Sequence, residues 1–195
     1  MYHKTFLSFL AIATLSACGG SSTGSASFET SEQAFDERLA NAQALVDKYE
    51  DASATIDMPT SGTASYTGFA AFAETEDFEE EDVFAIADVS MTANFTATGG
   101  SISGSMTNFL AFPEDNGAVE SIGGSLAIAN ANFTGSTFST TVSGTLTDPE
   151  GSVTFTGNMT GQFVGSAGGA IKAGLEMLDT EDNYNFYGGI IAEKN

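Results

Sequence analysis

The sequence predicts an all-β protein: a soluble eight-stranded antiparallel up-and-down β-barrel preceded by one N-terminal helix. The first observation is a period of two from about residue 62 onward, as in Val89, Met91, Ala93 and Phe95, which alternate with Ser, Thr and Asn. This alternation is typical of a sheet with one buried and one wet face. The second is the composition, since 22 glycines and only three prolines suit curved strands and tight turns.

The third observation is the number of alternating segments. Eight of them follow one another through short connections, which favours a meander. Eight strands are enough for a sheet to close, and closure removes exposed edges. A two-sheet sandwich is the alternative architecture. The predicted strands are Thr63–Phe72, Val83–Thr96, Gly100–Leu110, Gly123–Phe133, Thr137–Leu146, Ser152–Gly161, Gly169–Leu178 and Tyr184–Ala192.

The segment before the strands predicts a helix over residues 30–50, from Ser31 to about Tyr49. Thr30 can cap it, and Gln33 three residues later completes a capping box. Its apolar residues recur at helical spacing, so this stripe is expected to cover one end or side of the barrel. The stripe consists of Ala34, Phe35, Leu39, Ala42, Leu45, Val46 and Tyr49.

Residues 1–17 have the layout of a secretory signal peptide. A short n-region with Lys4 precedes an apolar run, Phe6–Leu15, which is too short to cross a bilayer, since that needs ~20 apolar residues. The stretch from Leu15 to Cys18 resembles the lipobox of bacterial lipoproteins. That resemblance implies cleavage between Ala17 and Cys18, and lipidation of Cys18 with a diacylglycerol carrying palmitate-type acyl chains. The alternative is an ordinary signal peptide with an incidental cysteine.

Residues 18–29 predict the lipidated cysteine and a flexible tether. Gly19–Ser27 reads GGSSTGSAS, a composition that behaves as a random coil. The tether would let the folded part, residues 62–195 with the helix, stand off the bilayer.

The charge excludes several partners. The formal net charge is -21, and removal of Lys4 with the signal peptide leaves four basic residues against 26 acidic ones. Nucleic-acid binding is excluded because it depends on basic residues that neutralise phosphates. A basic patch for anionic lipid is also missing, so membrane attachment must come from the lipid on Cys18. The chain is expected to be a monomer that can bind a protein partner.

A membrane-spanning barrel is the competing interpretation of the alternating strands. Spanning barrels usually carry aromatic girdles at both interfaces, whereas this chain has no tryptophan. It ends in Glu193-Lys194-Asn195 rather than in an aromatic residue. The polar face is uniformly hydroxyl and amide. These observations favour the soluble barrel.

Several strand motifs resemble the small barrel domain of transferrin-binding protein B and of related surface lipoproteins such as factor H-binding protein. They are the pair Asp88–Phe95 and Gly100–Met106, the strand Ser136–Thr147, the stretch Gly161–Gly165 leading into Gly169–Leu175, and the closing Tyr187–Lys194. The resemblance covers about Gly62 to Lys194 together with the lipobox.

The chain departs from that family at two motifs. Val164 stands where the family usually has tyrosine, and Met177-Leu178 replaces a glycine-phenylalanine ending. The large handle domains of the transferrin receptor are missing as well. The resemblance therefore implies the barrel fold and a surface location, and transferrin binding is not carried over.

Two acidic stretches are candidate cation sites. The run Glu74–Asp82 could bind Ca²⁺ or a basic partner, because carboxylates are hard ligands. It lacks the spacing of a calcium loop, so a solvated hairpin loop is the favoured interpretation. The stretch Asp179–Asn183 is interpreted as a hairpin turn for the same reason.

No catalytic constellation appears in the sequence, and no cofactor or metal is expected. His3 is the only histidine and lies in the signal peptide, and lipidation would consume the one thiol. Ser-His-Asp and Cys-His catalysis and the usual zinc sites are therefore excluded. Predicted interior residues either fill the barrel or line a cavity for a small apolar ligand, and filling is favoured. These are Phe95, Phe133, Phe155, Phe163, Met91 and Met159.

The sequence thus predicts a non-enzymatic, lipid-anchored binding protein of the outer membrane or cell surface with an unknown ligand. One alternative is a structural lipoprotein of the envelope that faces the periplasm. The other is a carrier of small apolar ligands of the lipocalin type.

Overall fold

The computed structural model describes residues 31–73, 85–112, 118–148, 151–180 and 185–195. One helix and eight strands occupy these residues in chain order. They are α1 (Ser31–Tyr49), β1 (Gly62–Ala73), β2 (Ala85–Thr96), β3 (Gly99–Ala111), β4 (Glu120–Phe133), β5 (Thr137–Thr147), β6 (Ser152–Val164), β7 (Ala170–Asp179) and β8 (Asn185–Lys194).

Each strand pairs antiparallel with the next, and β8 pairs with β1, so the sheet closes into a barrel in the order of the chain. Phe69 lies opposite Ile191 at the closing seam. The predicted up-and-down barrel with one preceding helix is confirmed, and the sandwich alternative is wrong. Closure pairs the edges that a sandwich would leave open.

The barrel interior is filled by the apolar members of the alternating pattern. Fully buried side chains include Tyr66, Met91, Met106, Met159 and Phe163. Five of the six predicted interior residues are buried, whereas Phe155 is only half-buried. Phe155 pairs with Asp179, the last residue of β7, so it lies at the rim, where it contacts the ring of Phe186 at a centroid distance of 5.6 Å.

The connections at the two ends of the barrel differ in amino-acid composition. At one end, here called the closed end, the connections 97–98, 134–136 and 165–169 contain no charged residue. At the opposite end, here called the acidic end, the strand ends are joined by residues 74–84, 112–119, 148–151 and 180–184. Those four connections contain thirteen of the 26 acidic residues and no basic one. Half of the acidic residues of the sequence therefore belong to the connections of this second set.

A bulge in β3 changes which side chains face outward. Asn108 has a positive φ of 55°, and the pairing of β3 with β2 shifts between Ile86 and Asp88. The extra residue directs Phe109 inward and Leu110 outward, the reverse of a strict alternation from Met106.

Helix α1 covers the apolar patch that results on the outer wall. Ile86 and Leu110 point outward and are nevertheless buried, because Phe35 and Ala42 of α1 pack on them. The ring of Phe35 meets the edge of Phe112 at a centroid distance of 4.6 Å. The predicted apolar stripe therefore covers the side of the barrel. Among the described residues, no helix combines the length and the apolar character needed to span a membrane.

Candidate functional site

The sequence-predicted sites fall mostly outside the described residues. Ala17 and Cys18 lie outside them, as do the acidic run Glu74–Asp82 and the end of the stretch Asp179–Asn183. Asp179 is buried at the end of β7, and Thr180 donates hydrogen bonds from its N and Oγ1 to the Thr154 carbonyl at 3.0 Å each. Within the described ranges, no three acidic, histidine or cysteine residues are close enough to hold a metal ion.

Aromatic side chains fill the interior near the closed end. Phe163 is fully buried, and its ring lies 5.0–5.9 Å, between centroids, from four other rings: Tyr66, Phe95, Phe133 and Phe138. These distances are those of favourable edge-to-face and tilted pairs. The protein's own rings therefore occupy this part of the barrel.

Tyr66 shows how a polar atom is accommodated in this cluster. Its hydroxyl donates to the Gly168 carbonyl at 2.8 Å, so the buried oxygen is satisfied. Burial raises the pKa of Tyr66 to about 12, because the phenolate would be charged in an apolar surrounding. Tyr66 is thus a neutral donor that ties the β6–β7 turn to the core.

The segment between α1 and β1 lies across the closed end. Thr55 donates two hydrogen bonds to this region. Its backbone N donates to the Phe163 carbonyl at 2.9 Å, and its Oγ1 donates to the Gly165 carbonyl at 2.7 Å. In turn, Gly165 N donates to the Ser53 carbonyl, and Ala167 N donates to the Asp57 carboxylate at 3.2 Å. This segment therefore fixes the β6–β7 turn and closes the end of the barrel.

The first polar clasp between α1 and the wall is built on the β3 bulge. Arg38 Nη1 donates to the Asn108 carbonyl, and its Nη2 lies 3.6 Å from the Asp88 carboxylate. Asn108 Nδ2 donates to the same carboxylate at 2.8 Å. The positive φ of Asn108 thus presents both a carbonyl and an amide where the helix needs partners.

The second clasp joins the end of α1 to β8. Glu193 accepts from Lys48 Nζ and, at 2.7 Å, from the Tyr49 hydroxyl. The hydrogen bond from Lys48 holds the pKa of Glu193 below its usual value and raises that of Lys48. Desolvation and the bond to Glu193 raise the pKa of Tyr49.

A third basic residue, Lys172, binds the segment that directly follows the helix. Lys172 Nζ donates to the Glu50 carbonyl at 3.1 Å. Partial burial lowers the pKa of Lys172, and the nearby charges of Glu50 and Asp51 oppose that shift. In a chain with five basic residues, Arg38, Lys48 and Lys172 all hold α1 and its C-terminal extension on the barrel.

A groove of about 500 Å³ runs between α1 and the outer wall of β1, β2 and β8. Its lining combines apolar and hydroxyl side chains with the two carboxylates of the clasps. Because both carboxylates are bonded to cations of α1, the groove is part of the surface on which the helix packs. The lining includes Leu45, Thr67, Phe69, Asp88, Ser90 and Glu193.

Sequence reasoning did not identify these clasps. The one available signal was that basic residues are scarce. Each basic side chain in this acidic chain therefore has many possible carboxylate partners. The choice of Glu193 and Asp88 required the tertiary structure.

Comparisons with known proteins give a structural similarity. The sequence matches no protein-family model and no curated protein. The fold is similar to a crystal structure of a point mutant of the vaccine antigen transferrin binding protein B (TbpB) from Haemophilus parasuis Hp5. The TM-score is 0.40 and the sequence identity 16%, and the match covers 70% of this chain and 27% of that chain.

Proposed function

We propose that this chain is a lipid-anchored, non-enzymatic binding protein of the outer membrane or cell surface, attached through Cys18. The observation that carries the proposal is the lipobox-like stretch ending in Ala17-Cys18 after a short apolar run. α1 begins at Ser31, after the predicted tether of residues 18–29 between lipid and barrel. Stable anchoring needs more than one acyl chain, and the diacylglycerol that the lipobox implies supplies this.

The outer wall supports a barrel that stands in water. Outward positions of β5 and β6 carry hydroxyl and amide groups that bond to one another, as in the pair Thr147 and Ser152 at 2.9 Å and the pair Thr145 and Thr154 at 3.2 Å. Such a wall leaves its donors and acceptors to water, whereas a lipid-facing wall would have to be apolar.

The filled interior favours binding at the surface over carriage of an apolar ligand inside. A lipocalin-type carrier needs an interior cavity, and the five-ring cluster around Phe163 occupies the barrel near its closed end. We therefore expect that a fluorescent fatty acid does not bind saturably to the protein and that added lipid displaces none of it. Saturable binding of that probe would favour the carrier.

Replacement of the anchor tests the proposal most directly. Cys18→Ala should move the protein from the membrane fraction to the soluble fraction, with the barrel still folded by circular dichroism. Ser16→Ala is the matched control, since it keeps a small residue in the lipobox and should stay on membranes. Membrane retention of Cys18→Ala would contradict both the anchor and the water-facing barrel.

Protease treatment of intact cells separates the surface protein from a periplasm-facing structural lipoprotein. Cleavage on intact cells supports surface exposure. Protection on intact cells, with cleavage after permeabilisation, supports the periplasmic alternative. A pull-down with the Cys18→Ala chain then searches for the partner, and the strongly acidic charge favours a basic one.

A further inference from the structure

The buried apolar side chains of the described residues form two separate clusters. The first fills the interior of the barrel and contains no residue of α1. The second lies on the outer wall, under the helix. It consists of Phe35 and Ala42 of α1 together with Ile86, Leu110 and Val119. Because the interior cluster is built without α1, packing inside the barrel does not depend on the helix.

The helix and the segment that follows it are attached to the barrel in different ways. Side chains of α1, those of Arg38 and Lys48, donate to groups of β2, β3 and β8. The next segment is bonded through its backbone, since Thr55 N donates to a carbonyl of β6 and the Ser53 carbonyl accepts from the β6–β7 turn. A turn at residues 50–51 separates the two. The helix can therefore swing from this turn while the following segment stays on the barrel.

The attachment of α1 is small for its length. Of its 19 residues, Phe35 and Ala42 are the buried ones. The side chains of both ion pairs are partly exposed, and that of Lys48 is 55% exposed, so these pairs contribute little stability. Helices in proteins owe most of their stability to packing. A detached α1 would therefore also lose helical structure.

We propose that α1 is a releasable strap, which leaves the outer wall while the barrel stays closed. Release exposes Ile86 and Leu110, which face outward and are buried because α1 packs on them. The strap thus switches this part of the wall between a covered state and an exposed apolar state. Local opening of this kind is typical of elements that share few buried contacts with the rest of a protein. The proposal does not depend on the lipid anchor.

Amide hydrogen exchange of the full chain with Cys18→Ala tests the strap. We expect the slowest amides of α1 to exchange at least about 100-fold faster, relative to their intrinsic rates, than the slowest amides of β2 and β3. The reason is that opening of α1 leaves the strand ladder intact. Equal protection of α1 and of these strands overturns the proposal, because the helix would then open only when the whole protein unfolds.

A matched pair of substitutions tests the contact itself. Ala42→Asp places a carboxylate in the buried contact, whereas Ala40→Asp adds the same charge at an exposed position of the same helix. Ala42→Asp should lower the protection of α1 at least about tenfold more than Ala40→Asp and leave β2 and β3 unchanged, because a buried charge without a partner disfavours docking. It should also increase the binding of anilinonaphthalene sulfonate, a dye that reports exposed apolar surface.

Two results of the matched pair overturn the proposal. If Ala42→Asp lowers the protection of β2 and β3 as much as that of α1, the barrel depends on the helix and α1 is not a separate unit. If Ala42→Asp and Ala40→Asp leave α1 equally protected, the wall contact does not hold the helix.

Discussion

Removal of the Phe163 ring would test whether the aromatic cluster supports the whole barrel. Phe163 is fully buried at the centre of the five-ring cluster, and Phe→Ala in a packed core costs about 3–5 kcal/mol. Each ring pair contributes about 0.5–1.5 kcal/mol beyond its buried area, although such contributions are not additive. Because Phe163 contacts four rings, we expect Phe163→Ala to lower the free energy of unfolding by about 4–5 kcal/mol.

Urea unfolding followed by circular dichroism, in the Cys18→Ala chain, measures this loss. The midpoint should fall while the slope stays constant, because the surface exposed on unfolding barely changes. For a domain of this size each kcal/mol corresponds to about 2–4 °C, so the melting temperature should fall by roughly 10–15 °C. The cavity left behind should also bind a small apolar molecule such as benzene, as dry engineered cavities do.

Phe155→Ala is the matched control. Phe155 is half-buried at the rim and contacts the ring of Phe186, so its loss should cost no more than about half as much. If Phe163→Ala cost less than about 2 kcal/mol, or no more than Phe155→Ala, the five-ring cluster would not be tightly packed.

Three further predictions concern the helix and the barrel seam. Phe35→Ala should lower stability by about 3 kcal/mol and speed proteolysis within α1, and unchanged proteolysis would show that Phe35 does not hold the helix. Gly68→Ala should disrupt closure, because its Cβ would lie 2.0 Å from a backbone carbonyl oxygen of β8, whereas Gly189→Ala meets open space and should fold normally. The pKa of Glu193 is lowered in the folded state by the Lys48 hydrogen bond, so its contribution is complete above the carboxyl's unfolded pKa and is lost as pH falls through the folded pKa. Protection of α1 should therefore decline in acid, and Glu193→Gln should remove that pH dependence; an unaltered profile would contradict the second clasp.

The alternation of side chains was sufficient to predict the strands. A period of two needs no knowledge of partners, because successive side chains of any strand point to opposite faces. Met91, Met159 and Phe163 were placed in the interior on this ground and are buried. The helix followed in the same way from a period of 3.6, and its apolar stripe was expected to cover the barrel.

The sequence could not predict the places where the alternation breaks. The bulge at Asn108 moves Leu110 from the interior to the outer wall, where it becomes part of the seat for α1. Phe155 fits the interior pattern equally well, but its position at the rim depends on the strand register. A register is a relation between two strands, so no single segment contains it.

The fold class, the acidic charge and the candidate anchor at Cys18 follow from the sequence alone, because these depend on local pattern and composition. The three-dimensional structure was needed to show that Lys48 bonds Glu193, 145 residues away, and that Phe163 contacts four rings from four other strands. It was also needed to show that α1 packs in a cluster separate from the barrel interior. Many carboxylates could have accepted Lys48 and many apolar residues could have packed on Phe163. The choice among them is made by barrel closure, which brings distant segments together in one register.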